Sequence, residues 1–179
     1  MSDWLPTASL EAIKARAELL STVRAFFAAR QVMEVDTPQL ARFGVSDPHI
    51  QCIAVPGYGY LQSSPEYHMK RLLAAGSGSI FQIARVFRNG ERGKRHNPEF
   101  SMLEWYRVGF DDQQLMREVA DLVCGWLECS PPVTLSYRDA MQSIAGIDPM
   151  TVTDRELERY CEQWLEPEQL AGLGRDGCL

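Results

Sequence analysis

Two segments in which successive side chains alternate between opposite faces constrain the fold of this chain more than any other feature. They span residues 80–88 and 99–106, and in the second of them Glu104 and Tyr106 fall on the same face. A period of two over such lengths is typical of β-strands. The ten residues between the segments, 89–98, are polar and include two glycines. The sequence therefore predicts an antiparallel hairpin with a long loop.

Helical periodicity lies on both sides of this hairpin. Residues 10–29 carry apolar side chains at helical spacing behind a Ser9 N-cap, and residues 112–128 form a second clear helix. Shorter helices are predicted over 137–145 and from Thr153, where a capping box begins. The apolar stripe of the second helix consists of Leu115, Met116, Val119, Leu122, Val123 and Trp126.

Short extended segments complete the predicted elements. Residues 32–36 have a β-like pattern that stops at Pro38, because proline lacks the donor that a continuing central strand requires. Residues 50–62 are also β-like, with a break at Pro56. Together these patterns predict an α+β fold, an antiparallel sheet flanked by helices. We assign residues 1–179 to a single domain whose sheet is incomplete at its C-terminal end.

Composition points to a cytoplasmic protein without a metal centre. The N-terminus lacks the basic start and apolar stretch of a signal peptide, and no apolar run approaches the roughly 20 residues that cross a bilayer. The five cysteines form no C-x-x-C pair, and the three histidines lie far apart, so reduced thiols and no metal site are predicted. A net charge of −6 gives no general attraction to nucleic acid or membrane.

Three places carry side chains suited to chemistry, and each also has a purely structural explanation. The loop after Arg88 is rich in basic residues that could surround a polyphosphate, or it is a solvated turn. Ser64-Pro65-Glu66 begins a helix, as a cap or as part of a binding site. Glu104 and Tyr106 could present a carboxylate and a phenol to an amine, or they lie on a sheet surface.

The order of these segments resembles the lysine branch of the class II aminoacyl-tRNA synthetases. Residues 19–38 resemble motif 1, and residues 80–106, with Val86-Phe87-Arg88-Asn89 and Arg95-His96-Asn97-Pro98-Glu99-Phe100, resemble motif 2. Residues 63–72 are similar to the family's "TSPE" helix. The resemblance covers about residues 10–150, and the block that ends in Phe100 is its most specific part.

The resemblance implies a set of roles for individual residues. Arg88 would be catalytic, holding the α-phosphate of ATP and the substrate carboxylate in line. The remaining ATP-site residues would be Asn89, Gly90, Asn97 and Phe100, with Phe100 stacked on adenine. The pocket for a lysine-type substrate would contain Ser64, Pro65, Glu66 and Tyr106. ATP is the implied cofactor. Mg²⁺ would accompany it in the family, but its ligands are expected outside this chain.

Within that branch the chain is most similar to the ligases that modify elongation factor P. The helix that leads into motif 1 starts near residue 10, which leaves no room for an anticodon-binding domain before it. The resemblance implies adenylation of (R)-β-lysine, or lysine, and transfer to a lysine of elongation factor P, by a homodimer formed through motif 1. The family's glycine-rich motif 3 is not found. A stand-alone enzyme that charges tRNA and a non-catalytic dimerising module remain alternatives, although tRNA is not the expected substrate.

Two positions depart from the family pattern. Gly90 stands where the family has a glutamate that helps to read adenine, and Glu91 follows it. Gln31 stands after the motif 1 helix, where the family often has glycine. If the chain needs a positive φ there, we expect strain of about 1 kcal/mol.

Overall fold

The segments with a period of two form the predicted antiparallel hairpin. A computed structural model describes residues 4–179. Contacts divide the described chain into two units, residues 4–131 and residues 132–179. The elements of the first unit are α1 (Leu10–Ala29), β1 (Met33–Glu34), β2 (Leu40–Ala41), β3 (Ala54–Val55), β4 (Gly59–Leu61), α2 (Glu66–Ala74), β5 (Ile80–Phe87), β6 (Glu99–Tyr106) and α3 (Asp112–Leu127).

The principal sheet has the strand order β1-β5-β6 and is mixed. β5 and β6 pair antiparallel over eight residues each, from Ile80 opposite Tyr106 to Phe87 opposite Glu99. β1 pairs parallel to β5, with Met33 opposite Ile80. The expectation of a purely antiparallel sheet is therefore wrong at this strand. Local periodicity identifies an extended segment but carries no information about the direction of a partner over 40 residues away.

A second small sheet connects β1 to the helix α2. Its strand order is β2-β4-β3, and both pairings are antiparallel. The predicted break at Pro56 is confirmed as the turn between β3 and β4. Gly59 has a φ of +139°, and a Cβ there would lie 2.2 Å from the Ala41 carbonyl oxygen. Only glycine allows this close approach of β2 and β4.

One face of the hairpin packs on α1. The Phe27 ring stacks on the Phe81 ring with centroids 4.5 Å apart, and it meets the Trp105 ring at 5.4 Å. Val23 and Val32 complete the buried cluster with them. Each aromatic pair adds about 1 kcal/mol beyond its burial. This core fixes the hairpin. On the other face the side chains of β5 are buried, whereas those of β6 are only partly buried and can contribute to a site.

Helix α1 ends in a left-handed backbone conformation, which is unfavourable for a residue that carries a Cβ. Gln31 has a φ of +56°. The Val32 amide donates to the Phe27 carbonyl at 3.0 Å, and Val32 joins the core, as in a Schellman C-cap. The expected positive φ at Gln31 is confirmed, and the side chain there strains the turn.

α3 packs differently from the prediction. Of its apolar stripe, Leu115, Met116, Val119 and Val123 are each more than a third exposed. Glu118 is instead 5% exposed, and Leu122, one turn later, packs against the core. The helix turns its Glu118 edge inward because that carboxylate binds the Trp105 indole and two arginines.

The second unit contains four helices among the described residues. They are α4 (Tyr137–Ala145), α5 (Asp154–Cys161), α6 (Pro167–Leu170) and α7 (Gly174–Cys178). The capping box predicted at Thr153 is confirmed. The Arg175 guanidinium donates to the carbonyl oxygens of Pro149 and Val152, which ties α7 to the turn before α5. Across residues 4–179, no helix has the length and apolar character that crossing a membrane requires.

Candidate active site

Arg88 extends the hairpin by one residue beyond β5. Its amide donates to the Pro98 carbonyl at 2.8 Å, and the next amide, of Asn89, donates to the Gln51 carbonyl at 2.8 Å. Hydrogen bonds on both sides therefore fix the backbone at the end of the strand. Arg88 continues the face that carries Val86 and, opposite it, Phe100, because directly paired residues point to the same side of a sheet.

The Arg88 side chain is partly buried, with 23% of it exposed. Its guanidinium lies 5.3 Å from the centre of the Phe100 ring. Nη1 lies 3.6 Å from Glu91 Oε1, and Nε lies 3.5 Å from the Ser63 carbonyl oxygen. These contacts hold the guanidinium between the hairpin and the loop before α2, with part of it open to an anion.

The segment before α2 begins the helix one residue later than predicted. The helix starts at Glu66, and the Ser64 hydroxyl accepts a 3.2 Å hydrogen bond from the Glu66 amide. Pro65 occupies the N-cap position and is fully buried. Glu66 is exposed enough to bind a cation, and Lys70, one turn later, donates to its Oε1 at 2.5 Å. The Ser64-Pro65-Glu66 segment is thus both a helix start and a carboxylate next to a buried turn.

Glu104 and Tyr106 lie together near the opposite end of the hairpin. The Tyr106 hydroxyl donates to Glu104 Oε1 at 2.7 Å. Burial raises the pKa of Glu104, and the Glu66 carboxylate raises it further, while Tyr106 and Lys70 act in the other direction. Burial also raises the pKa of Tyr106, as does its bond to Glu104, so the phenol stays neutral. We call Glu66, Lys70, Glu104 and Tyr106 the amine-end cluster.

The amine-end cluster holds more negative than positive charge. Lys70 is its single ammonium, and the bond to Glu66 raises the pKa of that lysine. Glu104 receives a hydrogen bond from a neutral phenol, and no salt bridge to it is found among residues 4–179. A half-buried carboxylate next to a neutral phenol and without a salt bridge can bind a cationic ligand.

The structure brings some predicted site residues together and leaves others apart. Arg88 and Phe100 are in contact, and Ser64, Pro65 and Glu66 are consecutive beside them. Tyr106 lies opposite Ile80, eight residues along the strand from Arg88, so these two belong to different ends of one face. Gly90 and Asn97 lie in the exposed loop, where Gly90 has a φ of +78°. Their roles stay predictions.

An open cleft of about 560 Å³ lies beside the Arg88 end of the hairpin. Asn89 is the predicted ATP-site residue that lines it. Its other walls come from Tyr60 of the second sheet and from the segment between β2 and β3, which includes Phe43 and Gln51. Phe100, which the resemblance predicts to stack on adenine, is not among the residues that line this cleft.

The sequence offers Glu104 with Tyr106 as a possible pair for an amine, although the family resemblance gives Glu104 no role. Sequence reasoning gave no role to Lys70, although its spacing of four from Glu66 predicts a helical ion pair. Within residues 4–179, no three histidine, cysteine, aspartate or glutamate side chains are grouped to hold a metal ion.

Comparison with known proteins assigns the family. The sequence model of the family described as tRNA synthetases class II (D, K and N) matches residues 3–157. Elongation factor P–(R)-β-lysine ligase of Pasteurella multocida (strain Pm70) is 46% identical over 171 residues, which cover 90% of this chain and 53% of that protein. The protein of the same name from Vibrio vulnificus (strain YJ016) is 48% identical over 166 residues, covering 88% and 51%.

The chain spans about half the length of the curated relatives it matches. The family match extends over most of the chain, including α1, the hairpin and α3. The chain therefore belongs to the class II tRNA synthetase family (D, K and N).

Proposed function

We propose that this chain is part of an ATP-dependent ligase that adenylates (R)-β-lysine, or lysine, and transfers it to a lysine side chain of elongation factor P. One observation carries the proposal: a single face of the hairpin has the Arg88 guanidinium near one end and, near the other, the Glu104 carboxylate, which has no salt bridge in the described chain. The names of the relatives, at 46% and 48% identity, support the same substrate pair.

The Arg88 end would bind ATP. The Arg88 guanidinium would contact the α-phosphate and the substrate carboxylate, stabilising the charge that builds on phosphorus as the carboxylate attacks and pyrophosphate leaves. Adenine would stack on Phe100, and Asn89, Gly90 and Asn97 would complete the ATP site. The contact between Arg88 and Phe100 supports this arrangement, since it holds the guanidinium in place before ATP arrives.

The amine-end cluster would bind the substrate ammonium groups. Glu66, beside Ser64 and Pro65, would accept one ammonium, and Glu104 with Tyr106 would accept the other. The bond between Lys70 and Glu66 supports this role, because a primary ammonium already fits against that carboxylate. The raised pKa of Glu104 supports the same role, because a bound ammonium would stabilise the ionised carboxylate.

The distance between the two ends suits a long substrate. Glu104 pairs with Gln82, which is six residues before Arg88 on the same strand. At the usual rise of a strand this is roughly 20 Å between backbones, which two long side chains shorten considerably. An amino acid with a distal amine would span more of this distance than a short one. This favours lysine isomers over short amino acids.

The remaining partners follow from the same proposal. Mg²⁺ would accompany ATP as its counter-ion.

Homodimerisation would use α1, whose Leu10 and Ile13 side chains are 74% and 46% exposed. Sedimentation at increasing protein concentration tests this, and a monomer at every concentration would remove the dimer. A cytoplasmic location remains a prediction.

The identity of the acceptor is tested by labelling. Protein expressed from the complete gene is incubated with ATP, labelled (R)-β-lysine, tRNA and elongation factor P. We expect label on elongation factor P. Label on tRNA alone would support the tRNA-charging alternative, and the absence of label on both, with ATP still bound, would support a non-catalytic module.

The role of Arg88 is tested by substitution. We expect Arg88→Ala to reduce ATP–pyrophosphate exchange by about 10²-fold or more, as the loss of an oxyanion donor does. Arg85→Ala is the matched control, because Arg85 lies on the same strand but on the opposite face, in an exposed pair with Glu99. Equal exchange in the two variants would remove Arg88 from the mechanism.

A further inference from the structure

Two cysteines at the end of α3 have thiols in direct contact. Cys124 lies in the last turn of α3, and Cys129 follows the helix. The Cys129 Sγ lies 3.3 Å from the Cys124 Sγ, and the Cys124 thiol donates to the Ser130 carbonyl oxygen at 3.4 Å. No C-x-x-C spacing marks this pair in the sequence, so only the folded chain reveals it.

A left-handed residue brings the two thiols together. Glu128 is the C-cap of α3, with φ +52° and ψ +38°, a conformation that residues with a Cβ rarely adopt. It turns the chain back, so that Cys129 lies against the preceding helical turn. The contact is therefore produced by the backbone and is not a chance approach of two flexible side chains.

The pair is accessible and close to bonding distance. Cys129 is exposed, and Cys124 is partly exposed. The sulfurs need to approach by about 1.3 Å more to reach a disulfide bond length. An exposed thiol with a second thiol in contact can be attacked from solvent and then resolved within the same chain.

We propose that Cys124 and Cys129 form a dithiol modification site that a small-molecule disulfide, such as oxidised glutathione, converts to an intrachain disulfide. The Cys129 thiolate attacks one glutathione sulfur, forming a mixed disulfide and releasing one glutathione thiolate. The Cys124 thiolate then attacks the Cys129 sulfur and releases the second. Two protein thiols are oxidised, one glutathione disulfide is reduced to two thiols, and the two cysteine protons pass to them. The crosslink would fasten the end of α3. It does not depend on the proposed ligase activity.

The test is to oxidise the reduced full chain in glutathione buffers of increasing oxidised fraction. Products are trapped with acid and mapped by mass spectrometry, which distinguishes oxidation of Cys124 and Cys129 from oxidation of Cys161 and Cys178. We expect the disulfide between Cys124 and Cys129 to exceed the glutathione adduct on Cys129 by at least about tenfold. In Cys124→Ser the adduct on Cys129 should accumulate instead. A stable adduct on Cys129 of the unsubstituted chain, without ring closure, would overturn the proposal.

Two further measurements test the role of the turn. Glu128→Gly keeps the left-handed turn and should close as readily as the original chain, whereas Glu128→Pro, with φ fixed near about −65°, should lose at least about tenfold in closure. The same oxidation of the original chain in strong denaturant should also lose the preference for closure. Equal closure in the folded and denatured chain would show that sequence spacing alone is responsible, and would refute the site whether or not the proline variant folds.

Discussion

Two glutamates on opposite sides of β6 have contrasting surroundings. Glu118 of α3 is 5% exposed, accepts a 3.1 Å hydrogen bond from the Trp105 indole, and lies within ion-pair distance of Arg30 and Arg107. Glu104, on the other face, is half-buried and receives a hydrogen bond from the neutral Tyr106. One carboxylate is compensated by charge and the other is not.

This difference separates a structural carboxylate from one available to a ligand. Arg107 Nε lies 3.3 Å from Glu118 Oε1 in an ionic contact without hydrogen-bond geometry, and Arg107 Nη1 donates to the Arg30 carbonyl at 3.3 Å. Glu118 thus joins α1, β6 and α3. Among the described residues, removing its charge would leave Arg107 without an acidic partner and Arg30 paired with the exposed Asp121 alone. Glu104 has no salt bridge in the described part of the chain, so its carboxylate is available for the substrate amine that we propose.

The largest expected effect is on the structural carboxylate. Glu118→Gln should lower the free energy of unfolding by about 3 kcal/mol, because it leaves the guanidinium of Arg107, whose side chain is 13% exposed, without an acidic partner. Urea unfolding followed by circular dichroism measures this. Asp121→Asn is the control, since Asp121 pairs with Arg30 at 3.5 Å but is 64% exposed, and it should cost less than about 1 kcal/mol. Similar losses of stability in Glu118→Gln and Asp121→Asn would contradict the special structural role of Glu118.

Glu104→Gln should raise the free energy of unfolding, whereas Glu118→Gln lowers it. Burial and the Glu66 carboxylate raise the pKa of Glu104, so the ionised form costs folding energy at neutral pH. The neutral amide removes this cost, and unfolding at pH 7 should move to higher urea by a small amount. The same urea titration serves as the measurement. A loss of stability comparable to that of Glu118→Gln would mean that Glu104 is also structural.

The pH dependence sharpens the contrast further. Because the pKa of Glu104 is raised in the folded chain, its favourable contribution is complete below about pH 4.3, the ordinary glutamate value, and is lost as pH rises through the folded-state pKa. Tyr106→Phe should raise this pKa further, since the phenol hydrogen bond lowers it. Carboxyl-carbon NMR titration gives both values, and an unshifted Glu104 in the original chain would contradict this account.

The smallest effect concerns the turn that positions Arg30. Gln31→Gly should stabilise the chain by about 1 kcal/mol, because glycine adopts the positive φ without strain. Ligand binding at Glu104 should not change. Unfolding in urea measures the gain, with Gln31→Ala as a control that keeps the strain. Equal stability of the glycine and alanine variants would show that the turn is not strained.

Much of the first unit was predictable because its signals are local. The period of two identified β5 and β6, and Ser9 marked the start of a helix, which the structure confirms. The parallel pairing of β1 could not be predicted, since strand direction is decided by distant packing. Glu118 was missed for a related reason: a glutamate on an amphipathic helix suggests a solvated face, and its partner Arg30 is on another helix.

The candidate site was predictable to a different degree at its two ends. A strand-ending arginine such as Arg88 is conspicuous beside a polar loop, and the resemblance gave it a role. The amine-end cluster depends on the approach of α2 to β6. The strand period therefore predicts that Glu104 and Tyr106 share a face, but it cannot place Glu66 and Lys70 near them. Local spacing shows which side chains share an element, whereas the charge balance of a pocket depends on elements far apart in sequence.

The most direct test is calorimetric titration of the original chain and of Glu104→Gln with (R)-β-lysine and with an analogue that lacks its distal amine. We predict that the substitution and the loss of the amine each weaken binding by at least about tenfold, and that their effects are not additive, because both remove the same charged contact. Additive losses, or unchanged affinity in Glu104→Gln, would contradict the assignment of this carboxylate to the substrate amine.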